Sequence, residues 1–107
     1  MTGPVVRKWE ATVARADVED WVATYRERVL PGMRKVAGFR GVRFLVERDC
    51  DPCAVTVLTT FDDMDAVRRF AGDDPARTVL PDFMARFFPS FEKRARFYDL
   101  VLAETTT

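Results

Sequence analysis

Histidine, asparagine and glutamine are missing from this sequence of 107 residues, and Ser90 is its only serine. Without them, one subunit alone has no Ser-His catalytic triad, no histidine general base and no histidine ligand for zinc or haem. Any chemistry must therefore come from carboxylates, arginine, lysine, tyrosine, tryptophan, threonine, cysteine or the backbone.

Long apolar runs and a net charge are missing as well. No stretch approaches the roughly 20 apolar residues of a membrane span, and no apolar signal segment follows the N-terminus. Because 17 basic residues balance 17 acidic ones, no excess positive field attracts nucleic acid or an anionic membrane. We therefore expect a cytoplasmic protein that has neither nucleic acid nor a membrane as its partner.

Cysteine is scarce, with Cys50 and Cys53 as the only two. Their C-x-x-C spacing occurs in redox and zinc sites, but a thioredoxin-type pair lies at a helix N-terminus and zinc needs two further ligands. Here the pair falls in a predicted hairpin loop. We interpret both as reduced thiols and predict no metal site. A redox role, or a four-cysteine metal site shared between two chains, is the alternative.

What the chain does contain is typical of one folded domain. Apolar residues make up 48% of it and charged residues 32%, which is too apolar for a disordered chain. A length of about 100 residues supports one hydrophobic core rather than two. We predict a single domain over residues 1–107.

Hydrophobic periodicity predicts strands and helices in turn. Over residues 5–14, Trp9 and Val13 alternate with Lys8 and Glu10, which is the period of a half-buried strand. The other predicted features are a helix from a cap at Asp17 to Pro31-Gly32, a turn between Gly38 and Gly41, strands over 42–46 and 54–61, a helix from the caps Asp62 and Asp65 to Gly72, a broken helix from Asp74-Pro75 through 88, and a strand over 94–102. The order β-α-β-β-α-β predicts an α+β fold, a ferredoxin-like four-stranded antiparallel sheet with helices on one face.

Apolar residues lie on both faces of this predicted sheet. In the second strand Phe44 and Val46 point one way and Leu45 the other. An apolar face left open on a monomer is a larger patch than most monomeric proteins expose. We therefore predict that a second copy covers it, giving a homodimer packed sheet to sheet.

Two segments resemble a known family. Residues 59–74, TTFDDMDAVRRFAGDD, and residues 38–41, GFRG, are similar to segments of the antibiotic biosynthesis monooxygenases. The resemblance extends from Trp9 to about Tyr98. It implies ferredoxin-like protomers that pair into an α/β barrel, each with a pocket between sheet and helices. Some members of this family are cofactor-free oxygenases that convert aromatic polyketide anthrones into quinones, and others act on haem.

Haem degradation is disfavoured by the same resemblance. That branch of the family uses a first-strand asparagine, a tryptophan near the end of the second helix and a histidine about ten residues further on. The corresponding positions fall near Trp9, Phe70 and Leu80 in this sequence. None of the three matches.

An aromatic run over residues 83–91, FMARFFPSF, is the densest unusual feature. Together with the family's pocket it predicts a site for a flat aromatic molecule, lined by Trp9, Tyr25, Phe70, Phe83 and Phe87. The alternative interpretation is that these rings are plain core.

Polar candidates accompany the rings. We predict Arg86 and Tyr25 as the catalytic pair, with Arg86 stabilising a phenolate or enolate oxygen. Tyr25 and Tyr98 can each form a hydrogen bond to a ligand hydroxyl, although buried tyrosines often satisfy a backbone carbonyl instead. A solvent-exposed Arg86 on a helix is the alternative.

Three charged residues flank Trp9 on the first strand: Arg7, Lys8 and Glu10. Whichever of them points inward could act as an acid, a base or an anion clamp. Solvated or interfacial ion pairs are the competing interpretation, and the one we favour from the sequence.

Function is predicted from these residues and the resemblance together. The leading hypothesis is a small tailoring enzyme of aromatic polyketide or related secondary metabolism, a cofactor-independent monooxygenase acting on a phenolic or anthrone-like substrate without metal or flavin. A cyclase or isomerase that stabilises an enolate is one alternative, and a non-catalytic dimeric ligand-binding or accessory protein is another.

Overall fold

An antiparallel sheet with helices on one face forms the fold in the computed structural model, which describes residues 3–106. The strands are β1 (Val5–Val13), β2 (Phe39–Val46), β3 (Cys53–Phe61), β4 (Ser90–Phe91) and β5 (Arg96–Asp99), and the helices are α1 (Val18–Arg28), α2 (Leu30–Met33), α3 (Met64–Ala71) and α4 (Asp82–Ala85). The order across the sheet is β2-β3-β1, and both β4 and β5 pair with the remaining edge of β1. This confirms the predicted ferredoxin-like arrangement.

Strand β1 lies at the centre of the sheet. It pairs with β3 from Val5 opposite Phe61 to Val13 opposite Cys53. Its side chains alternate between buried and half-buried along its whole length. Every odd-numbered residue therefore faces the helices, which confirms the predicted strand and places Arg7 on the same face as Trp9.

Helix α1 packs by one apolar stripe, with Trp21 only 1% exposed. Its start differs from the prediction, because the Asp17 side chain makes no capping hydrogen bond. A 3₁₀ turn over Arg15–Asp17 leads into the helix instead. At the other end the chain passes into α2 with Pro31 in its first turn, as a proline without an N–H group permits.

Helix α3 begins one residue later than the predicted cap. The Asp63 carboxylate accepts a hydrogen bond of 2.9 Å from the Ala66 amide, whereas Asp62 pairs with Arg40 at 2.7 Å. The prediction of Asp62 as the cap is therefore wrong. The predicted end is confirmed, since Gly72 follows the helix with a φ of 88° that favours glycine.

The predicted turn between Gly38 and Gly41 is only partly correct. Gly38 lies at the turn with a φ of 91°, and a Cβ there would come within 2.5 Å of the Ala66 Cβ. Strand β2, however, already begins at Phe39 and contains Gly41. A register shift between those two residues absorbs the irregularity.

Residues 74–81 do not form the helix that Asp74-Pro75 predicted. A turn closes from the Arg77 amide to the Asp74 carbonyl at 3.1 Å, and the chain then runs without a helix to α4. Its backbone pairs with residues 93–95 instead, through Ala95 N to Ala76 O at 2.7 Å and Thr78 N to Lys93 O at 3.2 Å. These tertiary bonds outweigh the local helix signal.

The predicted last strand, residues 94–102, is shorter in the structure, where β5 covers only Arg96–Asp99. Strands β4 and β5 lie along the same edge of β1. The Glu92 amide still bonds to the Glu10 carbonyl of β1 at 2.9 Å, and residues 93–95 bulge away between the two strands. Residues 100–106 form no strand, and Val101 and Leu102 are exposed. The bulge is what reaches residues 76–78.

The outer face of the sheet is mixed rather than uniformly apolar. Leu45 is 50% exposed and Tyr98 47% exposed on it, and the half-buried Val6 and Leu58 lie on the same face. Its other residues include Lys8, Glu10, Thr12, Arg43, Thr56 and Thr60. The helix-facing side carries the core, as the predicted alternation of Phe44 and Leu45 requires.

Candidate functional site

A cavity lies between the helix-facing side of the sheet, helix α1 and residues 79–88. The centre of a water molecule can move through about 120 Å³ of it, roughly ten times the space that one ordered water needs. Its walls are mostly apolar, and the aromatic residues among them are Trp9, Trp21, Tyr25, Phe44, Phe70 and Phe88. Such a cavity suits a flat aromatic ligand.

Three of the predicted pocket residues line this cavity: Trp9, Tyr25 and Phe70. They come from β1, α1 and α3, which lie far apart in the sequence. Trp21 and Phe44 were not predicted to line it, and their rings stack with centroids 4.4 Å apart and an angle of 5°. The helical spacing of Trp21 signalled an inward side chain, but gave no sign that it reaches a cavity.

The other two predicted rings, Phe83 and Phe87, lie outside the lining. Phe87 is 2% exposed and belongs to the main core, while Phe83 lies under the Arg28 guanidinium, 3.8 Å from the ring centroid. Helix α4 ends at Ala85, so the helical spacing used for the prediction does not continue. Phe88 takes the place in the cavity wall.

Neither Arg86 nor Tyr98 is among the residues that line the cavity. Arg86 is exposed, and its guanidinium carbon lies 4.0 Å from the centroid of the Phe87 ring. Tyr98 pairs opposite Val6 and therefore lies on the outer face of the sheet. The predicted contact of either side chain with a ligand in this cavity is not supported by these positions.

Arg7 is the charged group that points inward among the three first-strand candidates. It is only 6% exposed and lines the cavity. Its Nη2 donates to the Arg77 carbonyl at 2.5 Å and its Nε to the Pro75 carbonyl at 3.3 Å. None of the ion pairs within residues 3–106 involves Arg7. The site therefore has a buried cation held by neutral oxygens.

The charge on Arg7 persists at neutral pH. Burial, and to a lesser degree the charge of Arg77, lowers the pKa of Arg7 from its usual value to about 10. Within the described chain its third nitrogen, Nη1, makes no hydrogen bond, and no fully buried polar side-chain atom there lacks a partner. Nη1 is thus accessible and has a free donor, as an anion-binding group requires.

Thr59 adds a second polar group to the cavity lining. It lies directly opposite Arg7 in the pairing of β1 with β3, is 6% exposed and lines the cavity. Its hydroxyl forms no hydrogen bond within the described residues and is not fully enclosed. Thr59 was not predicted as a site residue, because a threonine within a strand carries no functional signal of its own.

Tyr25 contributes a neutral phenol. Burial raises its pKa to about 12, and its ring meets Phe44 edge-on with centroids 4.7 Å apart. A phenol with this pKa stays protonated at neutral pH, so it can donate or accept a hydrogen bond but cannot serve as a base.

Trp9 presents its ring to the cavity and not its polar edge. Its Nε1 donates to the Glu92 carbonyl at 2.7 Å and to the Thr78 hydroxyl at 3.1 Å. Its ring meets Phe88 edge-on with centroids 5.1 Å apart. These bonds fix the indole, and a ligand can use it only for stacking or apolar contact.

Arg7 and Tyr25 are the only ionisable side chains among those that line the cavity within residues 3–106. Carboxylate, lysine and cysteine side chains are absent from that lining. In the same part of the chain, no three His, Cys, Asp or Glu residues are grouped as a metal site. The arrangement can bind and stabilise an anion, but it provides no protein base.

Cys50 and Cys53 lie in the loop between β2 and β3 and at the start of β3, away from the cavity. Both are free thiols. The buried Cys53 donates to the Cys50 carbonyl at 3.1 Å, and the Glu47 side chain raises the pKa of Cys50. A raised pKa disfavours the reactive thiolate.

Solved structures share this fold. A monooxygenase from Streptomyces coelicolor, in complex with nanaomycin D, has a TM-score of 0.65 and 20% identity, covering 99% of this chain and 94% of that one. The cofactor-independent oxygenase SnoaB from Streptomyces nogalater has a TM-score of 0.57 and 21% identity, covering 97% and 96%. A haem-degrading protein from Mycobacterium tuberculosis has a TM-score of 0.62 and 14% identity, covering 99% and 100%.

Other structures with the same fold are named antibiotic biosynthesis monooxygenases, so the predicted resemblance is confirmed in fold. No protein-family model and no curated protein matches the sequence. Oxygenases and a haem-degrading protein share the architecture, and identities this low establish the architecture alone. The residues of the cavity, and not the shared fold, therefore determine which activity is possible.

Proposed function

We propose that this protein is a small tailoring enzyme of aromatic secondary metabolism, and most specifically a cofactor-independent monooxygenase that acts on a phenolic or anthrone-like substrate. The observation that carries the proposal is Arg7, a buried cation that lines an aromatic cavity and has no acidic partner among residues 3–106. A buried charge is costly unless an opposite charge approaches it. An aromatic anion would pair with the charge of Arg7 and pack against the aromatic walls of the cavity.

The reaction needs a substrate whose own acidity supplies the anion. A phenol or enol loses its proton to solvent, and the Arg7 guanidinium stabilises the resulting oxyanion. Thr59 and Tyr25 offer further hydrogen bonds from the cavity lining. The electron-rich anion then reduces dioxygen directly. A ring CH₂ group becomes C=O, one oxygen atom enters the product and the other leaves as water, so no external reductant is consumed.

The similar structures support this proposal without deciding it. One of them is named a cofactor-independent oxygenase, and another holds nanaomycin D. We extend that chemistry to this chain because its cavity offers an anion site and has no histidine in its lining. The sequence contains no histidine, so the usual axial ligand of haem is missing.

The lack of a base in the cavity lining of the described chain supports two other candidates. The same anion site would suit a cyclase or isomerase that stabilises an enolate and uses no oxygen. It would also suit a dimeric binding or accessory protein that holds an aromatic anion without converting it.

Oxygen uptake with 1,8-dihydroxyanthrone separates these candidates. We expect the protein to accelerate uptake above the spontaneous rate, consuming one O₂ for each quinone formed, because one oxygen atom enters the product. Catalase should return no oxygen, since the second atom leaves as water and not as peroxide. An oxygen electrode with quinone absorbance measures both. Binding without acceleration would instead identify a binding protein, and conversion under nitrogen a cyclase or isomerase.

We also propose that the protein acts as a homodimer through the outer face of the sheet, where Leu45 and Tyr98 are about half exposed. Light scattering at micromolar concentration should give twice the 12.3 kDa mass of one chain, because these side chains are buried only in a dimer. A Leu45→Arg variant should shift the mass towards one chain, and Val101→Arg is its exposed control. A wild-type monomer would contradict the proposal.

A single domain over residues 1–107 and a cytoplasmic location stay predictions. No helix within residues 3–106 is long and apolar enough to span a bilayer.

A further inference from the structure

Residues 74–78, called the strap below, form hydrogen bonds with the side chains of Arg7 and Trp9 on β1. The carbonyls of Pro75 and Arg77 accept from the Arg7 guanidinium, and the Thr78 hydroxyl accepts from Trp9 Nε1. Two of the three nitrogens of Arg7 are therefore held by this segment. The direction of the third nitrogen, Nη1, depends on where the strap lies.

The strap has little regular structure of its own, with only an isolated bridge between Arg77 and Arg94. It is fastened to residues 92–95. Asp74 and Arg94 form two parallel hydrogen bonds of 2.9 Å each, and the Thr78 hydroxyl donates to the Glu92 carbonyl at 2.6 Å. Bidentate pairs of this kind constrain direction as well as distance.

The Asp74–Arg94 pair is exposed, yet it adjoins a residue that holds Arg7. The side chains are 49% and 64% exposed, and exposed pairs contribute little to global stability. Its first member, however, is adjacent to Pro75, whose carbonyl holds Arg7 Nε. A shift of the strap would move the two carbonyls together and rotate the guanidinium with them.

We propose that Asp74 and Arg94 are positioning residues for Arg7, acting through the strap to aim Nη1 into the cavity. The inference rests on the proposed function in one respect, that Arg7 is the anion site. Neither residue touches the cavity. Removing the pair should leave the apolar walls intact while weakening the preference for an anion over a neutral molecule of the same shape.

The test compares 1-naphthoate with 1-naphthamide, which have the same ring system and differ in charge. Calorimetry on the full chain gives the ratio of their affinities. We expect Arg94→Met and Asp74→Asn each to lower this ratio about tenfold, since a misdirected guanidinium loses its geometry. Naphthamide affinity should stay constant, which a general loss of structure would not allow.

Arg68→Met is the matched control, because Arg68 forms an exposed ion pair with Asp65 on α3. It should change the ratio by less than about twofold. In an Arg7→Met background, Arg94→Met should have no further effect on the ratio, because a positioning residue acts only through its target. This absence of additivity supports the inference directly.

The outcomes separate the inference from the proposed function. If Arg7→Met abolishes the preference and Arg94→Met leaves it unchanged, the positioning role is overturned and the anion site stands. If Arg7→Met leaves the preference unchanged, or if naphthoate does not bind to the wild-type protein, both are overturned. An equal loss of ratio for Arg94→Met with and without Arg7 also overturns positioning.

Discussion

Replacing Arg7 by methionine is expected to lower turnover of an anthrone-type substrate by about 100-fold or more, since loss of one donor to a developing oxyanion has an effect of this size. Methionine retains much of the apolar stem but removes the charge. The Pro75 and Arg77 carbonyls lose their donors, while the cost of a desolvated cation disappears, so the two changes oppose each other in stability. Turnover should therefore fall far more than stability, as oxygen uptake and urea unfolding can show.

Two variants make this result specific to Arg7. Arg86→Met removes an exposed arginine that stacks on Phe87, and it should leave turnover within about twofold of the wild type. Arg7→Lys retains the charge but loses the planar fork, so it should recover only part of the activity. Turnover by Arg7→Met within a factor of about three of wild type would contradict the anion site, given the size of effect expected.

The pH profile offers an independent readout of the same site. The pKa of Arg7 is lowered only to about 10 and that of Tyr25 is raised to about 12. Below about 10 Arg7 is protonated, and below about 12 Tyr25 is neutral, so neither changes state near neutral pH. The rising limb of activity should then follow the acidity of the substrate, and it should move when a more acidic phenol is used.

The second large effect concerns stability. Phe87→Ala is expected to lower the free energy of unfolding by about 3–5 kcal/mol, as removal of a buried phenylalanine does. Phe87 is 2% exposed and packs in the main core rather than in the cavity wall. This replaces the prediction from sequence, in which Phe87 stacks on a ligand. Urea unfolding at one fixed protein concentration measures it, because the stability of the proposed dimer would depend on concentration.

Arg86→Ala is the neighbouring control for this measurement. Its exposed guanidinium contributes a cation–π contact with Phe87 of about 1 kcal/mol or less. Phe87→Ala should therefore lower the free energy of unfolding severalfold more than Arg86→Ala does. A loss below about 1 kcal/mol for Phe87→Ala would show that the ring is not part of the core.

The central strand was predictable in detail from sequence. Alternation over residues 5–14 placed Trp9 on the inner face, and the same parity places Arg7 beside it. The end of α3 was predictable because Gly72 has the φ that glycine favours. These features depend on local rules, in which the period of a strand or the chirality of a residue decides the outcome.

The candidate site was only partly predictable. The structure brings Trp9, Tyr25 and Phe70 to one cavity, where the arginine in the lining is Arg7 and not the predicted Arg86. Arg86 was predicted from its place within the aromatic run over residues 83–91, in which helix α4 ends at Ala85. Sequence periodicity could not show that end, because it is imposed by packing against other elements.

The sequence by itself determined the order of strands and helices, the inner face of β1 and the chemistry that is unavailable to a chain without histidine. Only the tertiary structure decided which cation is buried. Residues 74–78 do not form the predicted helix, and their backbone forms hydrogen bonds with residues 93–95. In this arrangement the carbonyls of Pro75 and Arg77 accept hydrogen bonds from Arg7. The physical reason is that contacts between residues about 70 positions apart depend on the assembled sheet, whereas periodicity reports only on near neighbours.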